Sequence, residues 1–418
     1  GEAASPGSAR LKIVHIVTEV PYPPDKGGKV SFYNHIRDMA ANPAIDLRLV
    51  LLDADGDRMQ NEAHFTGLGI DTRTFRRALP LVGKSVTGGL TAFLSFLFSM
   101  KPRVCRLRRN KRALNHVMSL LRRERADAVV FEHISGWELV PKRAFWRVPI
   151  IYVCHNVEQK VSLDQFRFQR RMSPLKFFFL GEYLKTRKYE ALMMRKLSAV
   201  VSISSVDREW YASHYPDKLV LVTDEEVPER TIRWTGSPGG GRLLFVGSPR
   251  YFPNLDAIRW LTLELLPRVR RSDPSVTLSV CGMTGEEARL FRTGSEGVDY
   301  MGFLEEGELA AMHCSHDLYV CPITMGSGIK MKILDAISYG MPVTAVRESL
   351  AGIRIEGPQA GLDVGDPDGG AQHVLGLLRD REALEGMSRR TLASVKNYMD
   401  NRMRFSTAVM KALRLPVD

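Results

Sequence analysis

Gly326-Ser-Gly-Ile-Lys-Met-Lys-Ile-Leu-Asp335-Ala-Ile-Ser-Tyr-Gly340-Met-Pro-Val343 is the stretch that decides the fold. An apolar run, Asp317-Leu-Tyr-Val-Cys-Pro322, precedes it and reads as a strand. Within it Ile329, Ile333, Leu334 and Ile337 share one face of a helical pattern expected over 329–339, and Pro342 to Ala345 reads as the next strand. A strand, a glycine-rich turn and a helix N-terminus bring unpaired backbone N–H groups and a positive dipole end to one point. That point suits a phosphate, and Lys330 and Lys332 add formal charge beside it. Asp335, expected about two turns into the helix, could accept hydrogen bonds from the vicinal hydroxyls of a ribose. Taken alone, the same string also fits a plain turn into a helix, and Asp335 also fits a solvated helix position.

The rest of the chain repeats this strand-helix alternation. Leu11 to Thr18 is a run of buried parallel-strand type, followed by the loop Pro21-Tyr-Pro-Pro-Asp-Lys-Gly-Gly28 and a helix over 30–40. Strands are expected at 46–52, 71–75, 128–131, 149–154 and 199–203, with helices at 111–124, 174–197 and 206–213. Pro228 to Gly241, with Ser237-Pro-Gly-Gly-Gly241, reads as an interdomain linker. A second set follows, with strands at 242–246, 276–280, 298–301, 318–321 and 342–345. Its helices fall at 254–266, 305–313, 329–339 and 371–379, and a helical stretch runs over 381–415. Such alternation implies doubly wound α/β sheets with ligands at the carboxyl ends of the strands. At 418 residues, two cores are expected.

The motif at 326–343 resembles the nucleotide-binding motif of retaining GT-B glycosyltransferases, the large family 4 and its relatives, in the subset reading G-x-G-x-K-x-K-[IV]-L-E-A-x-x-x-G-x-P-V. Asp335 stands where that family usually has Glu, and Ser327 where many members carry a second Glu at the donor sugar. The resemblance runs through nearly the whole chain. It implies two Rossmann-like domains facing across a cleft: 11–227 for the acceptor, a linker at 228–241, and 242–397 for the nucleotide-sugar. Residues 398–418 would then form a helix returning to the first domain. Gly27 and Gly28 match the loop after the first strand, whose glycines let the backbone approach the donor. His155, closing Tyr152-Val-Cys-His-Asn156, matches a histidine close to the donor sugar, although a lone histidine at a strand end is also a common structural residue. Glu132 and His133 follow the preceding strand, where they would bind acceptor or orient His155.

Leu243-Leu-Phe-Val-Gly-Ser-Pro-Arg-Tyr-Phe-Pro-Asn254 resembles the strand and loop that open the donor half, with Ser248 where relatives have Arg. Arg250 would supply that charge, shared with Lys330, because stabilising the leaving diphosphate is the reaction's main electrostatic demand. The implied donor set is thus Gly27, Gly28, Arg250, Gly326, Ser327, Gly328, Ile329, Lys330 and Asp335, with His155 and Lys330 nearest the chemistry. Cys281-Gly282 and Met301-Gly-Phe-Leu304 match positions that wrap the nucleotide base. No metal or other cofactor is expected, the nucleotide diphosphate-sugar being a substrate. Asp53-Ala-Asp55 and Asp366-Pro-Asp368 have D-x-D spacing but read as turn and capping residues.

Composition bounds the setting. Hydrophobic content of 44% and charged content of 25% are those of a globular protein. Five scattered cysteines without framework or metal spacing suit a reducing cytoplasm. Gly1 to Arg10 reads as a disordered leader or a cloning remnant, not a signal peptide. The net charge of +12 is concentrated: Lys101 to Arg125 holds ten basic residues against the single acid Glu124. The apolar run 90–100 precedes it, and a second basic and aromatic stretch spans Gln165 to Leu180. That pairing fits a peripheral surface on anionic lipid at the inner face of the membrane, with a solvated helix face as the plainer reading. Nucleic acid is disfavoured, since no recognised module accompanies the patch. The expected activity is hexosyl transfer with retention from a nucleotide-sugar to a glycan or lipid-linked hydroxyl acceptor, as in bacterial polysaccharide or glycolipid assembly. A silent GT-B scaffold acting as a membrane adaptor, or a GT-B nucleotide-sugar epimerase, are the alternatives.

Overall fold

The structure is a computed structural model that describes residues 10–414, save 25–26, 54–57, 77–98, 107, 143–147, 170–173 and 294–295. The leader, most of the apolar run at 90–100 and the Asp53–Asp55 pair therefore lie outside the described residues or at their edge. The chain forms two compact units: 1–225 with 403–418, and 226–402.

The first unit is a seven-stranded, all-parallel sheet in the order β3-β2-β1-β4-β5-β6-β7. Its strands are β1 (Leu11–Val17), β2 (Ile45–Asp53), β3 (Asp71–Arg76), β4 (Ala128–Glu132), β5 (Ile150–Cys154), β6 (Ala199–Ser202) and β7 (Leu219–Val222). Interleaved are α1 (Gly27–Ala41), α2 (Arg58–Gly67), α3 (Lys111–Arg122), α4 (Glu158–Phe168), α5 (Pro174–Met194) and α6 (Ser205–His214). Because successive strand residues alternate between faces, Ile13, Val17, Val130 and Val153 join a core under α1, with Phe32, Ile36 and Met39. Val14, Ile16, Phe131 and Tyr152 join the opposite core. Ala113, Val117 and Leu120 of α3 pack there, so that helix turns its basic residues outward.

The second unit is a five-stranded parallel sheet, order β10-β9-β8-β11-β12. Its strands are β8 (Arg242–Val246), β9 (Thr277–Cys281), β10 (Val298–Gly302), β11 (Leu318–Cys321) and β12 (Val343–Ala345). Its main helices are α7 (Phe252–Trp260), α8 (Gly285–Phe291), α9 (Glu306–Ser315), α10 (Met331–Ser338), α11 (Pro367–Arg379) and α12 (Arg381–Asn401). Asp366 caps α11, accepting from the Gly369 N–H at 2.9 Å, while Asp368 lies in the helix's first turn and pairs with Arg268 at 3.0 Å.

Three expectations change. The segment 228–241 is not a loose linker, for it is packed into the second unit. Trp234 is buried, donates from Nε1 to the His316 carbonyl at 2.6 Å, and Ser237 Oγ donates to Asp317 at 2.7 Å. Helix α10 starts at Met331, not 329, because Lys330 is its N-cap with an extended backbone (φ −84°, ψ 91°), after a turn in which Gly326 and Gly328 hold φ of +81° and +83°. Asp335 therefore lies about one turn in. The stretch 381–415 breaks after Asn401, and a last helix, α13 (Phe405–Ala412), belongs to the first unit.

Helix α13 is held there by Asp38 of α1, which accepts from Arg404 Nε and from the Ser406 N–H, each at 2.7 Å. Beside it Met403 N–H donates to Asp224 at 2.7 Å, and Asp224 N–H returns a bond to the Met403 carbonyl at 2.9 Å. Asp38→Ala is expected to lower stability in urea unfolding by about 2 kcal/mol, the scale for charge-assisted bonds to a buried carboxylate. Amide exchange should accelerate first in 405–412; unchanged exchange there would show that apolar packing alone seats the helix.

Candidate functional site

Both sheets reverse strand order at one place, between β1 and β4 in the first unit and between β8 and β11 in the second. The carboxyl ends flanking such a reversal form the natural ligand crevice of this architecture. The sequence-derived residues fall at those two crevices, each described by itself.

In the first unit the crevice is built around Glu132. By strand alternation His15, Glu132 and His155 all face α1, with Ile13, Val130 and Val153 beneath them. Fully buried, Glu132 bonds His15 Nε2 at 2.8 Å, His155 Nε2 at 2.5 Å and His35 Nδ1 at 3.2 Å. Burial opposes its charge, yet the three imidazoles hold its carboxyl well below the usual range. Glu132 thus cannot meet an acceptor, contrary to the expectation; orienting His155 is what its position allows. On the far side His35 faces Glu225 at 3.5 Å, and Ser31 Oγ donates to Glu225 at 2.6 Å. Burial disfavours the His35 imidazolium, but Glu132 and Glu225 hold its pKa up at about 10. His155, by contrast, is pushed down by burial and is neutral. Since the Glu132 oxygens accept, Nε2 of His155 carries its proton.

His133 takes a left-handed backbone (φ +58°) directly after β4 and stacks on His155 with ring centres 4.7 Å apart. Strain of this kind in a non-glycine residue is typical of functional sites. Arg108 comes from the basic run yet faces inward. It donates to Thr18 at 3.0 Å and to Ser135 at 2.9 Å, and pairs with Glu19 at 2.5 Å. Gly27 and Gly28 open α1 as its first two residues, and a Cβ on Gly28 would meet nothing within 4 Å.

In the second unit the turn 326–330 follows β11. Lys330 is the N-cap of α10, and its Nζ folds back onto the carbonyls of Gly326 at 2.7 Å and Gly328 at 3.4 Å. The loop after β8 lies alongside, since a Cβ on Gly326 would sit 3.4 Å from Tyr251 Oη. Ser327 occupies the middle of the turn, and Ile329 packs on the core. Asp335 accepts from Arg230 at 2.7 Å and faces His313 at 3.3 Å. Burial would raise its pKa, but His313 and Arg230 keep it lowered, so it is a held carboxylate. Arg250 departs from the expectation. Its side chain is 86% exposed, and its acidic neighbour is Glu287 at 3.8 Å. Lys332 Nζ bonds the Asn254 side-chain oxygen and lies 4.9 Å from the Phe245 ring centre.

His15, His35, Glu225 and Asn254 were not singled out from sequence. A signal existed for two of them: His15 interrupts the apolar run 11–18, and His35 lies on the apolar stripe of Phe32, Ile36 and Met39. Among the described residues, one group brings three potential metal ligands within 4.8 Å of one another: His35, Glu132 and His155. Both Glu132 oxygens already accept from imidazole nitrogens.

A doubly wound pair of parallel sheets, with a glycine-rich turn and a histidine crevice at their reversals, is the GT-B fold. Residues 240–380, within the second unit, match the family of glycosyl transferases group 1. Staphylococcus aureus TarM, solved as a variant in complex with fondaparinux, α-GlcNAc-glycerol and UDP, superposes with a TM-score of 0.63 at 10% identity. That match covers 97% of this chain and 99% of the other. WaaG, a glycosyltransferase involved in lipopolysaccharide biosynthesis, gives 0.55 at 14% identity over 97% and 100% of the two chains. A protein from Listeria monocytogenes described as a UDP-N-acetylglucosamine 2-epimerase gives 0.57 at 13% over 98% and 99%. At such identities these structures share the fold. No curated protein matches the sequence.

The charge inventory around Glu132 makes stability pH-dependent. His35 is more basic when folded, so its contribution is complete below 6.5 and is lost as pH rises through about 10. Glu132 and Glu225 are more acidic when folded, so theirs is present above 4.5 and is lost as pH falls. Tm is expected to decline between pH 6.5 and 10, and His35→Gln to lower Tm near neutrality while flattening that decline. An equally steep decline in the variant would remove His35 from the balance.

Proposed function

We propose that this chain transfers a sugar, with retention, from a nucleotide diphosphate-sugar to a hydroxyl acceptor. The observation that carries this reading is the Gly326–Lys330 turn. It lies at the strand reversal of the second sheet, inside the stretch matching glycosyl transferases group 1, with Lys330 and Lys332 beside it. Positive-φ glycines, a helix N-terminus and two lysines suit a diphosphate, and Asp335 in the helix that follows suits a ribose. His155 takes the place at the donor sugar, its ring fixed by Glu132 and His133. The binding of UDP by TarM, of the same fold, supports testing uridine donors first.

The reading includes a metal-independent departure of the diphosphate, with hexose as the sugar class and a glycan or lipid-linked molecule as acceptor. It includes peripheral seating on anionic lipid at the cytoplasmic face. Leu175 and Phe177 on α5 and Phe168 at the end of α4 are exposed, Phe177 at 77%, with Lys176 beside them. No described helix is long and apolar enough to cross a membrane.

A thermal-shift series with UDP, GDP, dTDP, CDP and ADP, without divalent metal, tests the donor side. One nucleotide is expected to stabilise the protein well above the others, by about 2.7 kcal/mol at a hundredfold excess over its Kd. Silence from all five on folded protein would sink the nucleotide reading. With the matching sugar nucleotide, product should form only when an acceptor is present. Conversion of the sugar nucleotide without an acceptor would instead mark an epimerase.

A further inference from the structure

The crevice of the first unit holds a carboxylate that the transfer reading leaves without a task. Glu19 follows β1 at the β1/β4 reversal, two residues past the end of the strand. Its Oε1 meets Arg108 Nη2 at 2.5 Å, yet 43% of its side chain stays exposed, against 12% for Arg108. Arg108 is the one hydrogen-bond partner it has among the described residues.

That partner is fixed from two sides. Arg108 Nη1 donates to Thr18 Oγ1 and to Ser135 Oγ, and those hydroxyls lie 2.8 Å apart. The guanidinium is thereby tied to the segment after β1 and to the turn after β4, with Nη2 left to orient Glu19. Burial opposes the charge of Glu19, but Arg108 and the His133 imidazole hold its carboxyl below the usual range. His133 in turn stacks on His155. An ion pair with one partner this open adds only about 0–1 kcal/mol to stability, so stability alone gives no reason to aim an ionised carboxylate at the histidines. A ligand entering the crevice meets a hydrogen-bond acceptor, the Arg108 guanidinium behind it being already engaged. Two vicinal hydroxyls of a sugar ring can donate to such a carboxylate together. A phosphate or a second carboxylate would meet like charge.

We propose that Glu19 recognises the acceptor, with Arg108 as its positioning residue, and that the acceptor presents an uncharged sugar diol rather than an anionic headgroup. The assignment rests on the transfer reading above, which leaves the acceptor as a glycan or a lipid-linked molecule, and narrows it. The attacking hydroxyl belongs to a sugar ring, has a hydroxyl neighbour, and has no phosphate or carboxylate next to it. A lipid carrier would be met through the sugar it already bears.

The test uses the full chain and the sugar nucleotide built on the base that stabilises it, with release of nucleoside diphosphate as the readout. Acceptor probes are the methyl glycosides of glucose, galactose, mannose and N-acetylglucosamine, against glucuronate, galacturonate and glucose 6-phosphate as anionic counterparts. Neutral glycosides are expected to accelerate release and the anionic sugars not to. Glu19→Gln should raise KM for the neutral probes by about 10- to 100-fold, the scale of hydrogen bonds to a charged group, with a much smaller fall in kcat. Arg108→Gln should move the acid limb of kcat/KM for the acceptor to higher pH, because the cation that keeps Glu19 ionised has gone. Preference for the anionic probes, no response to any probe, or an unchanged acceptor KM in folded Glu19→Gln would overturn the assignment and leave nucleotide binding intact. Weaker binding of the sugar nucleotide to Glu19→Gln, with the nucleoside diphosphate unaffected, would move the carboxylate to the donor sugar and overturn it as well. No nucleotide binding by the wild type would overturn the transfer reading itself.

Discussion

The first unit depends on one ionised carboxylate placed where no water reaches it. Glu132 sits at the end of β4 with no exposed surface, and an isolated charge there would cost several kcal/mol. The fold offsets that cost with three imidazoles from three elements: His15 on β1, His35 on α1 and His155 after β5. His35 is charged and is shared with Glu225. The same bonds therefore close the core under α1 and fix the ring of His155. Phe405, the first residue of α13, stacks on His35 at 4.0 Å, so the returning C-terminal segment seals the network. Positioning and stability are one set of contacts here.

The second unit is arranged on the opposite principle. Its charge is not balanced from within, since Lys332 meets an amide and an aromatic ring where an acid would have neutralised it. Elsewhere in the same unit buried charge is paired: Asp317 takes bonds from Ser237 and the Arg242 N–H, and Asp335 from Arg230. That ammonium lies at the strand reversal of the sheet, close to Lys330.

Much of this architecture could be read from sequence because parallel strands buried on both faces are continuous apolar runs, and the runs at 11–18, 242–246 and 318–321 leave little alternative. The Gly326–Gly328 turn was legible for a similar reason, although helix periodicity carried Ile329 into a helix that begins only after the extended N-cap Lys330. Edges of the pattern were harder. The segment 228–241 has the composition of a linker, and only the tertiary bonds of Trp234 and Ser237 show that it is packed. Helix α4 and strand β7 were missed because polar residues in the one and the shortness of the other weaken their periodicity.

The site was legible as positions more than as roles. Sequence places Glu132, His133 and His155 at strand ends, but whether a side chain faces ligand or core depends on which face the strand buries. That needs the sheet order: once β1, β4 and β5 are neighbours, positions 15, 132 and 155 must converge on α1. Arg250 shows the converse limit. Proximity in a motif suggested that it replaces a lost arginine, yet electrostatics constrains where charge sits in space, not where it sits along the chain. Lys332, about eighty residues away, lies against Gly247 at the end of β8, where a Cβ would be 2.9 Å from its Nζ. Motif substitution in such folds is better judged by the charge available at the strand reversal than by the residue aligned in the loop.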